Sequence, residues 1–292
     1  MSKIQSVQLN NGVEIPLEGF GVFQVDDLSL CERAVSEAID CGHRLFDTAY
    51  SYRNESAVGA AIKKTGIARE EFFITTKAYI QQMGYENTIR AVYDSLDALG
   101  TEYIDLYLVH MPFGDYYGSW RAMEELCRQG LIRAIGVSNF LPDRLMDLCY
   151  NAEIIPQVNQ IELHPHYQRE EELRLMRALG VQPQAWAPFA EGMKGMFSEP
   201  VLTEIARRHG KSVPQVILRW NIQRGVSVIP KSVHKERMRE NMDVWDFELD
   251  GDDMALIGTL DKNRPSMLDP LKPSEVKRLY DYLKNPVLTS LQ

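Results

Sequence analysis

Long apolar runs are missing from this 292-residue chain. Nothing in it approaches the roughly 20 consecutive apolar residues that a membrane-crossing helix needs. The opening MSKIQSVQLNNG also lacks the apolar centre of a secretory leader, so a cytoplasmic protein is expected. Cysteine is scarce. Cys31, Cys41, Cys127 and Cys149 lie far apart in segments of helical pattern and form no CxxC pair, which predicts reduced, half-buried thiols and not disulfides or metal ligands. Basic charge is in deficit: the formal net charge of −9 disfavours a nucleic-acid or anionic-membrane surface, both of which need a positive field. A small phosphate-bearing ligand held by a few local cations is still compatible with that charge. Low-complexity tracts are absent too. What remains, 45% apolar and 25% charged, is the composition of a soluble globular protein with enough chain for one barrel-sized domain or two ordinary ones.

A complete GxGxxG fingerprint is also lacking. Gly19 and Gly21 supply only its first half, and no acidic residue follows at the expected place, which argues against an open Rossmann-type sheet. Glycines mark a different organisation. Helical patterns end in Gly42, Gly66, Gly100, Gly130, Gly180 and Gly225, where the left-handed conformation that closes a last helical turn carries no steric penalty. Asn151 is expected to do the same before residues 157–163. An apolar run follows each of these seven junctions: RLFDTA, FFITTKA, IDLYLVH, IRAIGVSNF, QVNQIEL, QAWAPF and VSVIPKS. Most are too continuous in apolar character for a sheet with one wet face, so parallel strands buried on both faces are predicted. The stripes Cys31, Ala34, Val35, Ala38 and Ile89, Val92, Leu96, Leu99 give the intervening segments a helical period. With GFGVFQ as the first strand, the count reaches eight strands alternating with helices, the pattern of a closed (β/α)8 TIM barrel. VQLNNGVEIP reads as a separate β-hairpin turning on Asn11-Gly12 and capping the barrel floor. The whole of 1–292 is expected to form this one domain, with 263–292 as a C-terminal tail or lid.

In such a barrel, chemistry sits where strands run out into the following loops. Asp47 and Tyr52 follow strand two in FDTAYSYRNE, Lys77 ends strand three and His110 closes strand four. Singly each has a bland role available: Asp47 as a helix cap, Lys77 and His110 as structural or solvated groups, a tyrosine as an amphipathic lid. Jointly they assemble a general acid. A lysine ammonium within about 4 Å of a phenol contributes on the order of several kcal/mol at intermediate dielectric and is expected to lower the phenol's pKa. Asp47 would keep Lys77 charged and oriented, and His110 would orient a substrate oxygen. On composition alone Tyr50 competes with Tyr52 for the acid's place.

FDTAYSYRNE, TTKAY, LVHMP, GVSNF, NQIELHP and IPKSVHKERMREN occur in an order and at separations that resemble the aldo-keto reductases, from GFGVF near residue 20 to Asn241. The resemblance implies a (β/α)8 barrel and hydride transfer between NADPH and an aldehyde or ketone. It implies a catalytic tetrad of Asp47, Tyr52, Lys77 and His110, with the second tyrosine of the family's DTAxxYxNE pattern, Tyr52, as proton donor. Ser138, Asn139 and Gln160 match the positions that hydrogen-bond the nicotinamide carboxamide. Trp186 falls where an aromatic ring, more often tyrosine, lies on the nicotinamide face. Arg237 and Lys231 would grip the 2′-phosphate with help from Ser232, and Glu240 and Asn241 would contact the adenine end.

The basic segment has its own physical reading. A guanidinium and an ammonium beside a helix N-terminus suit a phosphate monoester, against the blander alternative of a solvated basic helix. Phe23, Tyr50, Met111 and Trp120 are expected as apolar walls of a pocket for a small carbonyl substrate, and the Gly- and Met-rich 190–200 as a loop that folds over cofactor or substrate. No metal is expected. Two rival functions remain: a metal-dependent hydrolase built around the pair His164-Pro-His166, and a barrel that senses NADPH without catalysis.

Overall fold

The structure, a computed structural model, describes residues 5–193 and 195–282. It opens with the hairpin, β1 (Ser6–Gln8) and β2 (Glu14–Pro16), paired antiparallel with Val7 opposite Ile15. Eight parallel strands follow: β3 (Phe20–Gly21), β4 (Leu45–Asp47), β5 (Phe73–Ala78), β6 (Ile104–Val109), β7 (Ile132–Ser138), β8 (Val158–Glu162), β9 (Gln182–Trp186) and β10 (Ser227–Val228). They pair in sequence order. Closure comes from the seam between the first and last: Gly19 N donates to Val228 O at 2.8 Å, Val228 N to Leu17 O at 2.9 Å and Gly21 N to Pro230 O at 3.1 Å. The eight runs read from the sequence are these eight strands.

Helices lie between the strands. α1 (Leu28–Cys41) starts at Asp27, whose carboxylate accepts from Leu30 N, and ends at Gly42 with φ 109°, whose amide reaches back to Ala38 O and Ile39 O. Its predicted stripe of Cys31, Ala34, Val35 and Ala38 is buried. α2 (Glu55–Thr65), α3 (Tyr85–Leu99), α4 (Tyr116–Arg128), α5 (Pro142–Asn151) and α6 (Glu170–Ala178) repeat the pattern. All six predicted junction glycines have positive φ. Asn151 does not act as expected. It is the last residue of α5, its side chain donates to Asp147 O at 2.7 Å, and Ala152 continues in extended conformation with φ −91°. Bonding within the helix gives that amide a partner without a left-handed turn.

Two helices, α7 (Pro200–His209) and α8 (Val213–Gln223), separate β9 from β10. The described residues then continue through α9 (Lys235–Met242), α10 (Gly251–Gly258) and α11 (Pro273–Asp281). The main core packs the helices against the outside of the barrel. A second cluster fills the inside: Leu45, Phe73, Leu106, Leu108, Ala134, Val158 and Ile229, joined by Leu9 and Ile15 of the hairpin. Asn10 donates to Pro156 O and Gly180 O, just ahead of β8 and β9, and Asn11 to Arg133 O at the start of β7. The hairpin therefore covers the N-terminal end of the barrel, and the opposite rim stays open.

Candidate active site

Side chains alternate between the two faces of a strand, so a residue two positions beyond an interior one is interior too. Phe73 is inside the barrel, which puts Thr75 and Lys77 on the same face nearer the open rim. By the same count Leu45 leads to Asp47, Leu108 to His110, Val158 to Gln160 and Glu162, and Ala134 to Gly136 and Ser138. Parallel register brings all these ends to one rim.

Lys77 is fully buried. Its Nζ donates to Asp47 Oδ1 at 2.6 Å and to Thr48 O at 2.8 Å, and lies 5.0 Å from the centre of the Tyr52 ring. Burial pulls the Lys77 ammonium below its usual range and lifts the Asp47 carboxyl above its own, while the bond between them opposes both shifts. The His110 ring meets Tyr52 edge-on at 5.7 Å between centres. Burial, and then the Lys77 charge, holds the imidazole well below its normal pKa, so it is neutral. Among the described residues its buried Nδ1 has no hydrogen-bond partner.

One electrostatic expectation is corrected. The Tyr52 phenol is not lowered but held well above the ordinary value, first by burial and then by the Asp47 charge. Desolvation of the phenolate is the largest cause. Nor is Asp47 a cap: the residue ahead of α2 is Asn54, whose buried amide donates to Val22 O and Val25 O and accepts from Thr48 Oγ1.

Four of the expected cofactor residues adjoin this group. Ser138 Oγ donates to Gln160 O at 2.9 Å. Asn139 has φ 62°, a conformation asparagine tolerates, and its side chain donates to His110 O at 3.1 Å and accepts from Trp186 Nε1 at 2.9 Å. Gln160 Nε2 donates to Asp47 Oδ2 at 2.8 Å and to Gln184 Oε1 at 2.7 Å. The other five form a separate strip beyond β10. Lys231 and Arg237 are exposed, Ser232 is buried and accepts from His234 N at 3.1 Å, and Glu240 and Asn241 lie on α9, half-buried and buried. Among the described residues Arg237 makes no ion pair. The Glu191 carboxyl, in the loop after β9, hydrogen-bonds the Gln24 side chain after β3 and feels the Lys231 charge. The expected 190–200 loop thus reaches across the rim, with Lys194 outside the described residues.

Phe23 and Tyr50 are partly exposed at the rim, and the Phe23 ring lies 4.9 Å from that of Tyr52. Met111 is buried, clustered with Tyr79, Ile80 and Leu279 of α11. Trp120 is not a pocket wall. It is 2% exposed within the core on α4, and its Nε1 donates to Ile154 O in the loop leading into β8, where the strands begin. An indole there serves packing and satisfies a backbone carbonyl. Of the two histidines at 164 and 166, His164 Nε2 lies 3.1 Å from Glu162, while His166 has Lys262 Nζ 3.4 Å from its Nδ1 and Glu199 3.5 Å from its Nε2.

The reading of the strand ends missed Tyr79, whose ring lies 5.4 Å from His110 and whose hydroxyl donates to Leu279 O, and it missed Gln184. Alternation from Lys77 and Trp186 could have found Tyr79 and Gln184. The tail is docked by the same rim: the amides of Ser266, Met267 and Leu268 donate to the Glu162 carboxylate. Residues 283–292 of the expected lid lie outside the described residues. Among the described residues no helix is long and apolar enough to cross a membrane.

Known proteins resemble this chain in sequence and in fold. The glyoxal reductase of Bacillus subtilis (strain 168) is 47% identical over 259 residues, 88% of this chain and 93% of its own length. The morphine 6-dehydrogenase of Pseudomonas putida is 44% identical over 269 residues, 87% of this chain and 90% of its own. A Bombyx mori aldo-keto reductase solved in complex with NADP superimposes with a TM-score of 0.87 at 34% identity, covering 91% of this chain and 95% of that one. The sequence profile of the aldo/keto reductase family matches residues 20–262, a span that runs from β3 to just past α10 and so takes in every strand of the barrel. With fold and sequence in agreement over that length, this chain belongs to the aldo/keto reductase family.

Proposed function

We infer that this protein reduces aldehydes or ketones to alcohols with NADPH, through Tyr52. The observation that carries the reading is the buried Lys77, bonded to Asp47 at 2.6 Å and 5.0 Å from the Tyr52 ring, at the open rim of the barrel. When bound, the nicotinamide supplies the hydride; every other part falls to the chain. Tyr52 donates a proton to the substrate oxygen as charge develops there. His110, whose ring meets Tyr52 edge-on at 5.7 Å, is placed to orient that oxygen, and its neutrality lets it donate one hydrogen bond without competing as an acid. Lys77, held by Asp47, stabilises the phenolate left behind.

The residues fit a dinucleotide phosphate. Asn139, Ser138 and Gln160 present amide and hydroxyl groups beside Tyr52 for a carboxamide, and Trp186 is fixed by its bond to Asn139. At the other end, the exposed Lys231 and Arg237 flank the start of α9, where a dianionic monoester gains from both cations and the helix terminus. Ser232 would assist at the phosphate, and Glu240 and Asn241 would contact the adenine end. Phe23, Tyr50 and Met111 would border the substrate. The chain would work as one (β/α)8 unit in the cytoplasm, with its tail from 263 as part of the rim wall. The B. subtilis relative is named for glyoxal and the P. putida one for morphine, so the reading stops at a small carbonyl compound.

A screen of NADPH oxidation at 340 nm against short aldehydes, dicarbonyls, aldoses and keto acids, beside NADH, tests this. Tyr52→Phe should abolish turnover while cofactor binding, read by fluorescence titration, stays within about twofold. Wild-type turnover in that variant would remove Tyr52 from the reaction.

A further inference from the structure

We propose that Gln184, on the interior face of β9, is a positioning residue for the reaction: it fixes which way the Gln160 amide faces and so sets the hydrogen bonding of Asp47. The inference rests on the function proposed above.

A continuous polar chain crosses the inside of the barrel. Gln160 Nε2 donates to both Asp47 Oδ2 (2.8 Å) and Gln184 Oε1 (2.7 Å). Gln184 Nε2 donates to Ser227 Oγ at 3.3 Å, and Ser227 Oγ donates to Pro16 O at 3.0 Å, on the hairpin that closes the floor. Asp47, Gln160, Gln184 and Ser227 are all at most 2% exposed. The chain therefore runs from the active-site ion pair to the opposite end of the barrel without leaving the interior.

Its direction is set from both ends. An ionised carboxylate only accepts, so Asp47 must face the NH2 end of Gln160. Gln160 then offers its second N–H to Gln184, which must answer with its oxygen. That turns the Gln184 NH2 toward Ser227, whose proton goes to the only remaining acceptor, the Pro16 carbonyl. No amide in the series can flip without setting two donors or two acceptors against each other in a dry interior, where each unmet group costs about 1–3 kcal/mol. One consequence is functional. With its NH2 committed to Asp47 and Gln184, Gln160 has only its carbonyl left for a ligand, so the site takes a hydrogen-bond donor there. A second concerns Asp47: burial lifts its pKa, Lys77 opposes that most, and the Gln160 bond to Oδ2 adds to the support of the anion.

Two substitutions separate positioning from packing. Gln184→Leu keeps the volume and removes both bonds. Gln184→Glu keeps both as long as the new carboxyl is protonated, and loses the donation to Ser227 once it ionises. The titratable side chains of this face are Asp47, Lys77, His110 and Glu162, with Tyr52 at the rim. We expect Gln184→Leu to lower kcat/KM for NADPH-dependent aldehyde reduction roughly tenfold or more, and to move the acid-side fall in activity to higher pH as Asp47 loses support. Gln184→Glu should match wild type in mild acid and drop toward the leucine variant as pH rises. A wild-type pH profile in Gln184→Leu would overturn the proposal, as would a Gln184→Glu profile that never approaches wild type. If the leucine variant does not fold, the glutamate profile decides alone. Wild-type enzyme with no carbonyl turnover would instead sink the parent reading.

Discussion

A proton donor must keep its proton until the substrate needs it. Tyr52 meets this through burial, which holds its phenol well above the ordinary value of about 10. His110 stays neutral because burial and the Lys77 charge hold its pKa well below the usual range. For both residues the reactive form, protonated phenol and neutral imidazole, spans the whole interval between the two shifted values. Carbonyl reduction should therefore show no inflection near the ordinary histidine pKa and no alkaline loss before ordinary tyrosine ionises. A kcat profile against pH checks this, and a fall centred in the free-imidazole range would mean that His110 titrates there. At the far end, Arg237 makes no ion pair among the described residues. Arg237→Ala should raise the Michaelis constant for NADPH by roughly tenfold or more while leaving that for NADH nearly unchanged, since only NADPH carries the extra phosphate.

Among the elements, α2 crosses the end of α3 in close contact at Gly59. A Cβ added at Gly59 would lie 2.1 Å from Leu99 O, and that atom is backbone with little freedom to move. Gly59→Ala should thus destabilise the protein by about 1–3 kcal/mol despite alanine's better helix propensity, because overpacking outweighs the gain. A thermal melt with unchanged Tm would show that the helices can part. Such a contact is invisible in the sequence: Gly59 sits mid-helix in ESAVGAAIKKT, where its presence looks only unfavourable. The six glycines at helix ends were legible because their role is local. Asn151 was misread for the complementary reason, a side-chain bond to Asp147 O replacing the turn.

For the whole molecule, the seam that closes the barrel carries a buried ionisable pair. Glu18, bridged to Val228, is fully buried and lies 3.2 Å from His43 Nδ1, and His43 Nε2 lies 3.3 Å from Met238 O on α9. Burial raises the Glu18 carboxyl above its ordinary range, and His43 only partly offsets this. A carboxyl whose pKa is higher in the folded than in the unfolded chain binds more protons when folded. Stability is then lost as pH rises from the ordinary carboxyl range through the folded value. Glu18→Gln should remove that loss, so the Tm advantage of the variant grows over this window and is smallest in acid. Thermal melts across pH check it. An advantage that shrinks with rising pH would mean that the pair is ionised and favourable.

The order of the strands, the floor hairpin and the positions of Asp47, Tyr52, Lys77 and His110 were determined by the sequence alone. The strands, the hairpin and the strand-end places follow from periodicity and local backbone preferences, which depend on neighbours in the chain. The choice of Tyr52 over Tyr50 rested on the resemblance to the family. Tertiary structure decided what depends on neighbours in space. It sent Trp120 into the core, because an indole N–H there meets Ile154 O. It raised the Tyr52 phenol where charge counting had lowered it, because desolvation and the proximity of Asp47 exist only once the chain is folded. It also joined Asp47 to Gln160, 113 residues away, and Gln160 to Gln184, since closing a parallel barrel is what brings the interior faces of distant strands within a hydrogen bond of one another.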